Sequence, residues 1–128
     1  MKRSFPVIDA DGHVLERDRE LRQFMPPEFR AVEGKRQYPL FSWDGWARGA
    51  LSPRQREHPS VELWLRFLDA TEIALTVLYP NEGLNIGLQR DHDWAVALAR
   101  AYNDWLHHDF LSVSPRFQGV ALLAPQNP

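Results

Sequence analysis

The run Ile73-Ala-Leu-Thr-Val-Leu-Tyr79, almost continuously apolar and closed by Pro80-Asn81, limits most what this chain can fold into. An apolar run on both alternations suits a parallel strand buried on both faces. Ahead of it, Val61, Trp64, Leu65 and Leu68 keep the i, i+3, i+4, i+7 spacing of a helix. Ser60 stands where an N-cap belongs, and the helix should end near Ala70-Thr71. After a Gly-containing link over 82–89, a second helix begins near Asp91, its apolar face marked by Trp94, Leu98, Ala101, Tyr102, Trp105 and Leu106. Asp91 and Asp93 fall in its first turn and His107 and His108 in its last, which complements the helix dipole at both ends. Ser114-Pro115-Arg116 breaks the chain, and Gln118-Gly-Val-Ala-Leu-Leu123 reads as another strand, closed by Pro125.

The N-terminal part supplies one further strand over Phe5 to Ala10, with Pro6 tolerable near its start. The order is therefore strand, long loop, helix, strand, helix, strand. Such alternation implies an α/β fold with right-handed crossovers and a parallel sheet. Residues 15–58 form the long loop. Leu21, Phe24 and Met25 support one or two helical turns before Pro26-Pro27, and 34–53 shows neither helical nor strand period. A connection of this length in a compact domain is a lid or binding loop, or else disordered. Trp43 and Trp46 favour an ordered lid, where they either cover an aromatic or conjugated substrate or anchor the loop itself.

Composition removes several function classes. At 128 residues the chain accommodates one domain, and its charge of -2 without a basic block argues against a grip on nucleic acid. With no cysteine, a bound metal must be held by His and carboxylate. No run has signal-peptide or bilayer-spanning character, so no membrane partner is expected and the default location is cytoplasmic.

The chemistry concentrates in Phe5-Pro-Val-Ile-Asp-Ala-Asp-Gly-His-Val-Leu-Glu16. Asp11 and His13 are two apart, so on an extended segment they point to the same side, and Gly12 leaves the backbone room to bend. They close a strand at the end where parallel α/β folds place ligands. A divalent ion accepts carboxylate oxygen and neutral imidazole at ~2.0–2.2 Å, so the pair is a candidate for two metal ligands. The plainer alternative is a carboxylate capping the next turn and a histidine hydrogen-bonded to backbone. Asp9 shares their face, and a hydrogen-bonding role suits it better than ligation. Glu16 is either a partner to the pair or a solvated lid residue. Tyr79 and Asn81, after the second strand, and Gln126, after the third, either line a pocket mouth or build turns. His107 and His108 read as surface histidines at the end of the second helix, His92 as a solvated or loop-contacting residue in its first turn, and His58 as part of the linker.

Val7-Ile-Asp-Ala-Asp-Gly-His-Val14 resembles the first-strand signature of the amidohydrolase superfamily, nearest to its aminocarboxymuconate-semialdehyde decarboxylase-like branch. Leu68-Asp-Ala-Thr-Glu-Ile-Ala-Leu-Thr-Val-Leu-Tyr-Pro80 is similar to that family's first helix and second strand. Arg100-Ala-Tyr-Asn-Asp-Trp-Leu106 with Ser114-Pro-Arg-Phe-Gln-Gly-Val-Ala-Leu-Leu123 is similar to its next helix and third strand. The resemblance implies the first three or so β/α units of a TIM-type (β/α)8 barrel, with Asp11 and His13 at two metal-ligand positions. Such barrels need roughly 250 residues, so the chain reads as an N-terminal portion whose remaining ligands and acid or base lie beyond Pro128. The implied activity is metal-dependent hydrolysis or decarboxylation of a small, carboxylated, often aromatic substrate. Zinc is the expected ion, with manganese as the alternative. An inactive remnant, or a half-barrel interaction module that pairs its open strand edges as a homo-oligomer, is the competing expectation.

Overall fold

The computed structural model describes residues 5–32 and 60–127. Strand β1 (Ile8–His13) is followed by helices α1 (Asp18–Phe24) and α2 (Pro27–Arg30). Then come α3 (Val61–Ala70), β2 (Leu75–Tyr79), a 3₁₀ helix over Glu82–Leu88, α4 (His92–Leu106), a π turn over His107–Leu111, and β3 (Phe117–Gly119). The strands form one parallel sheet in the order β1-β2-β3, so the α/β alternation of the sequence is that of the fold. Trp43, Trp46, His58 and most of the 15–58 insertion lie outside the described residues. The described start of that insertion is helical, and α2 begins on Pro27, which occupies the first helical turn where a missing N–H costs nothing.

Both longer helices start where capping chemistry places them. Leu63 N–H donates to Ser60 Oγ at 3.3 Å, and Trp94 N–H donates to Asp91 Oδ1 at 3.0 Å. The predicted apolar face of α4 is buried in full, and α1 lays Leu21 against it with Met25 beyond. Trp105, Phe110 and Phe117 meet edge to face, with ring centroids 5.6 and 5.9 Å apart. Each such side chain contributes about 2–3 kcal/mol by leaving water.

The strand limits differ from expectation for local reasons. Pro6 has no N–H for a ladder, pairing opens with Ala74 N–H donating to the Val7 carbonyl at 2.8 Å, and β1 then runs through to His13. β2 is not buried on both faces: Thr76 and Leu78 are fully buried, whereas Leu75, Val77 and Tyr79 stay partly exposed. The continuous apolar run thus hides an alternation that only the packing reveals. β3 stops at Gly119 because the following chain is held by a side chain instead of a strand. Asn103 Nδ2 donates to the Leu122 carbonyl at 2.9 Å, and Leu122 N–H donates to Asn103 Oδ1 at 2.8 Å. Nor do His107 and His108 end a helix. Ser112 N–H reaches back to the His107 carbonyl at 2.9 Å, so the axis continues as a π turn to Leu111. Among the described residues, no helix is long and apolar enough to cross a membrane.

Candidate functional site

The carboxyl ends of β1 and β2 lie side by side. In their register Asp9 faces Thr76, Gly12 faces Leu78 and His13 faces Tyr79. β1 therefore advances three residues while β2 advances two, which is a β-bulge at Ala10-Asp11. Asp9 holds the bulge: its Oδ2 accepts from the Thr76 hydroxyl at 2.7 Å and its Oδ1 from Asp11 N–H at 3.1 Å. That is the hydrogen-bonding role expected of Asp9. Gly12 is needed for room, because a Cβ there would overlap Thr76 Oγ1 and press on the Val77 carbonyl at 3.2 Å.

Asp11 and His13 do point the same way, with His13 Nε2 3.5 Å from Asp11 Oδ1. His13 Nδ1 lies 2.9 Å from the Pro80 carbonyl oxygen. A carbonyl only accepts, so Nδ1 carries the proton and Nε2 of the neutral ring turns a lone pair toward Asp11. Two acceptors facing each other repel unless a cation serves both, either a second ring proton or a metal ion. Ligand bonds of about 2.0–2.1 Å at the tetrahedral angle separate two donor atoms by about 3.4 Å, close to the spacing found. The pair therefore fits two adjacent ligand positions, with the outward ring nitrogen oriented by a backbone carbonyl as metal-bound histidines usually are. Among the described residues, no group of three or more His, Asp or Glu side chains is gathered for a metal ion. The Tyr79 ring stands beside the imidazole, with centroids 5.9 Å apart, and forms one wall of the site.

Glu16 is neither solvated nor part of a loose lid. It is 8% exposed, and its carboxylate accepts from Asn81 N–H at 3.2 and 3.1 Å, Glu82 N–H at 3.1 Å and Gly83 N–H at 2.9 Å. These amides open the 3₁₀ helix, so Glu16, just beyond the neighbouring strand β1, serves as its cap. Burial pushes the Glu16 carboxyl above its ordinary value, while the amides pull against that rise. Tyr102 feels the same environment: burial and the charge of Glu16 raise its phenol, whose oxygen has no hydrogen-bond partner among the described residues. Asn81 thus enters the site through its backbone. Gln126 builds a turn, with Nε2 donating to the Ile86 and Gln89 carbonyls at 2.6 and 2.9 Å. His108 pairs with Asp109 at 2.6 Å and meets the Phe24 ring at a tilt, with centroids 5.6 Å apart. Sequence reasoning left Glu16 as one of two alternatives and missed Pro80, because their contacts join positions far apart in the chain, Asn81 and Glu16 at a separation of 65 and Pro80 and His13 at 67.

Among solved structures, the fold matches that of an amidohydrolase from Mycobacterium avium subsp. paratuberculosis K-10. The TM-score is 0.63 at 18% identity, over 94% of this chain and 43% of that one. The chain thus spans less than half the length of that protein. What they share is fold: an α/β arrangement with a three-stranded parallel sheet that matches part of an amidohydrolase barrel. No protein-family model matches the sequence, and no curated protein does.

Proposed function

We propose that this chain carries the opening portion of a metal-dependent amidohydrolase-type enzyme, a hydrolase or decarboxylase acting on a small carboxylated substrate, aromatic ones included. The observation that supports it is the facing of His13 Nε2 and Asp11 Oδ1 at 3.5 Å, at the carboxyl end of β1. Asp11 and His13 would hold the ion, and the mixed oxygen and nitrogen donors suit zinc first and manganese second. When bound, the ion supplies Lewis-acid polarisation or an acidified water with a pKa of about 7. Tyr79 would flank the substrate, and Trp43, Trp46 and Asn81 complete the proposed substrate contacts.

Zinc titration by calorimetry, on the wild type and on Asp11→Ala and His13→Ala, tests this reading. Wild-type binding that both substitutions abolish is the expected result; binding that survives both rules it out. A second reading, an inactive half-barrel that associates with another copy, is favoured by the strand order. β1 and β3 each keep one edge that no described strand pairs.

A further inference from the structure

We infer that Glu16 is a positioning residue for His13 and acts through the single peptide group that joins Pro80 to Asn81. The carbonyl of that group accepts from His13 Nδ1 at 2.9 Å, and its N–H donates to Glu16 Oε2 at 3.1 Å and Oε1 at 3.2 Å. In a trans peptide these two groups point in opposite directions, so imidazole and carboxylate grip one rigid plane from either side. A carboxylate drawing on the N–H pushes electron density onto the carbonyl oxygen, and hydrogen bonds in such a chain strengthen one another. The Pro80 oxygen becomes a better acceptor, the His13 proton is fixed on Nδ1, and Nε2 becomes a more electron-rich donor on the side of Asp11.

Glu16 is itself immobilised. The amides of Glu82 and Gly83 complete its set of donors, and a Cβ at Gly83 would stand 3.0 Å from Oε1 and 2.7 Å from Leu122 Cδ1. The chain thus sends two side chains from the end of β1, three residues apart, to opposite edges of one peptide at the end of β2. The inference rests on the metal reading only for its effect on metal affinity, because the tautomer is set without an ion.

Long-range proton–nitrogen NMR of the His13 ring, recorded where the imidazole is neutral, reads that tautomer directly, and zinc calorimetry reads the affinity. Expected in the wild type are an Nδ1-protonated ring and an Asn81 amide protected from exchange. Glu16→Gln should raise the Nε2-protonated fraction and weaken zinc about tenfold, the lower end of the effect of outer-shell partners on metal affinity. Asn81→Pro, which deletes the linking N–H and leaves Glu16 with its other two amides, should act in the same direction. Asp11→Ala should weaken zinc without moving the tautomer. An Nε2-protonated ring in the wild type, an unprotected Asn81 amide, or a folded variant of either kind with tautomer and affinity unchanged overturns the relay. Zinc binding that survives both Asp11→Ala and His13→Ala sinks the metal reading and leaves the relay to be judged on the tautomer.

Discussion

Glu16 is the one charged side chain buried among the described residues, and its environment pulls in two directions. Desolvation opposes the charge and outweighs the backbone amides that favour it, so the folded chain holds the Glu16 proton more tightly than the unfolded chain does. A carboxyl raised on folding contributes stability that is fully present below its ordinary value of 4.5 and is lost as pH rises through the folded value. Glu16→Gln removes that titration but turns one acceptor into an NH2 group facing backbone N–H, at a cost of about 1–3 kcal/mol. Denaturant titrations at fixed ionic strength should therefore show the variant less stable at pH 4.5, with the gap to the wild type closing as pH rises. A gap that widens instead means that the amides outweigh burial.

The elements are joined by polar side chains that act as braces in the fold. Arg116 donates from Nε to the Ala74 carbonyl at 3.1 Å and from a terminal nitrogen to the Ile73 carbonyl at 2.7 Å, and it also pairs with Asp69. Asn103, within the Tyr-Asn-Asp-Trp segment, takes both backbone hydrogen bonds of Leu122 as a neighbouring strand would. Asn103→Ala leaves a nearly buried backbone N–H and C=O without these bonds. It should cost about 1–3 kcal/mol, visible as a lower denaturation midpoint and faster exchange of the Leu122 amide. Helices with a periodic face and a capping residue, α3 and α4, were legible to within a residue at their starts. Less legible were features set by distant contacts: the bulge that Thr76 imposes on β1 through Asp9, the early end of β3, and the π turn beyond α4. At the site, the direction of Asp11 and His13 followed from strand alternation. The carbonyl behind His13 and the cap at Glu16 did not, because a turn reached across the sheet leaves no spacing to read.

At the scale of the whole molecule, three strands in the order β1-β2-β3 leave an outer edge on β1 and another on β3 that no described strand pairs. Apolar side chains accompany these edges. Ile8 on β1 is 55% exposed, Phe5 just before it 66%, and Leu123 beyond β3 78%. Unpaired N–H and C=O groups beside exposed apolar surface are a template for another strand, and with a net charge of only -2 there is little repulsion between copies. We predict that the 128-residue chain self-associates along the β1 edge in a concentration-dependent way. Ile8→Lys tests the edge directly. Its side chain is already more than half in solvent, so lysine costs the fold little while placing like charges across any β1-to-β1 contact. Sedimentation velocity over a hundredfold range of concentration should show wild-type dimers or larger species, and a shift of the variant toward monomer. A wild type that stays monomeric throughout removes the half-barrel association reading. Association that Ile8→Lys leaves untouched moves the contact away from β1, with the β3 edge and Leu123 next to be substituted.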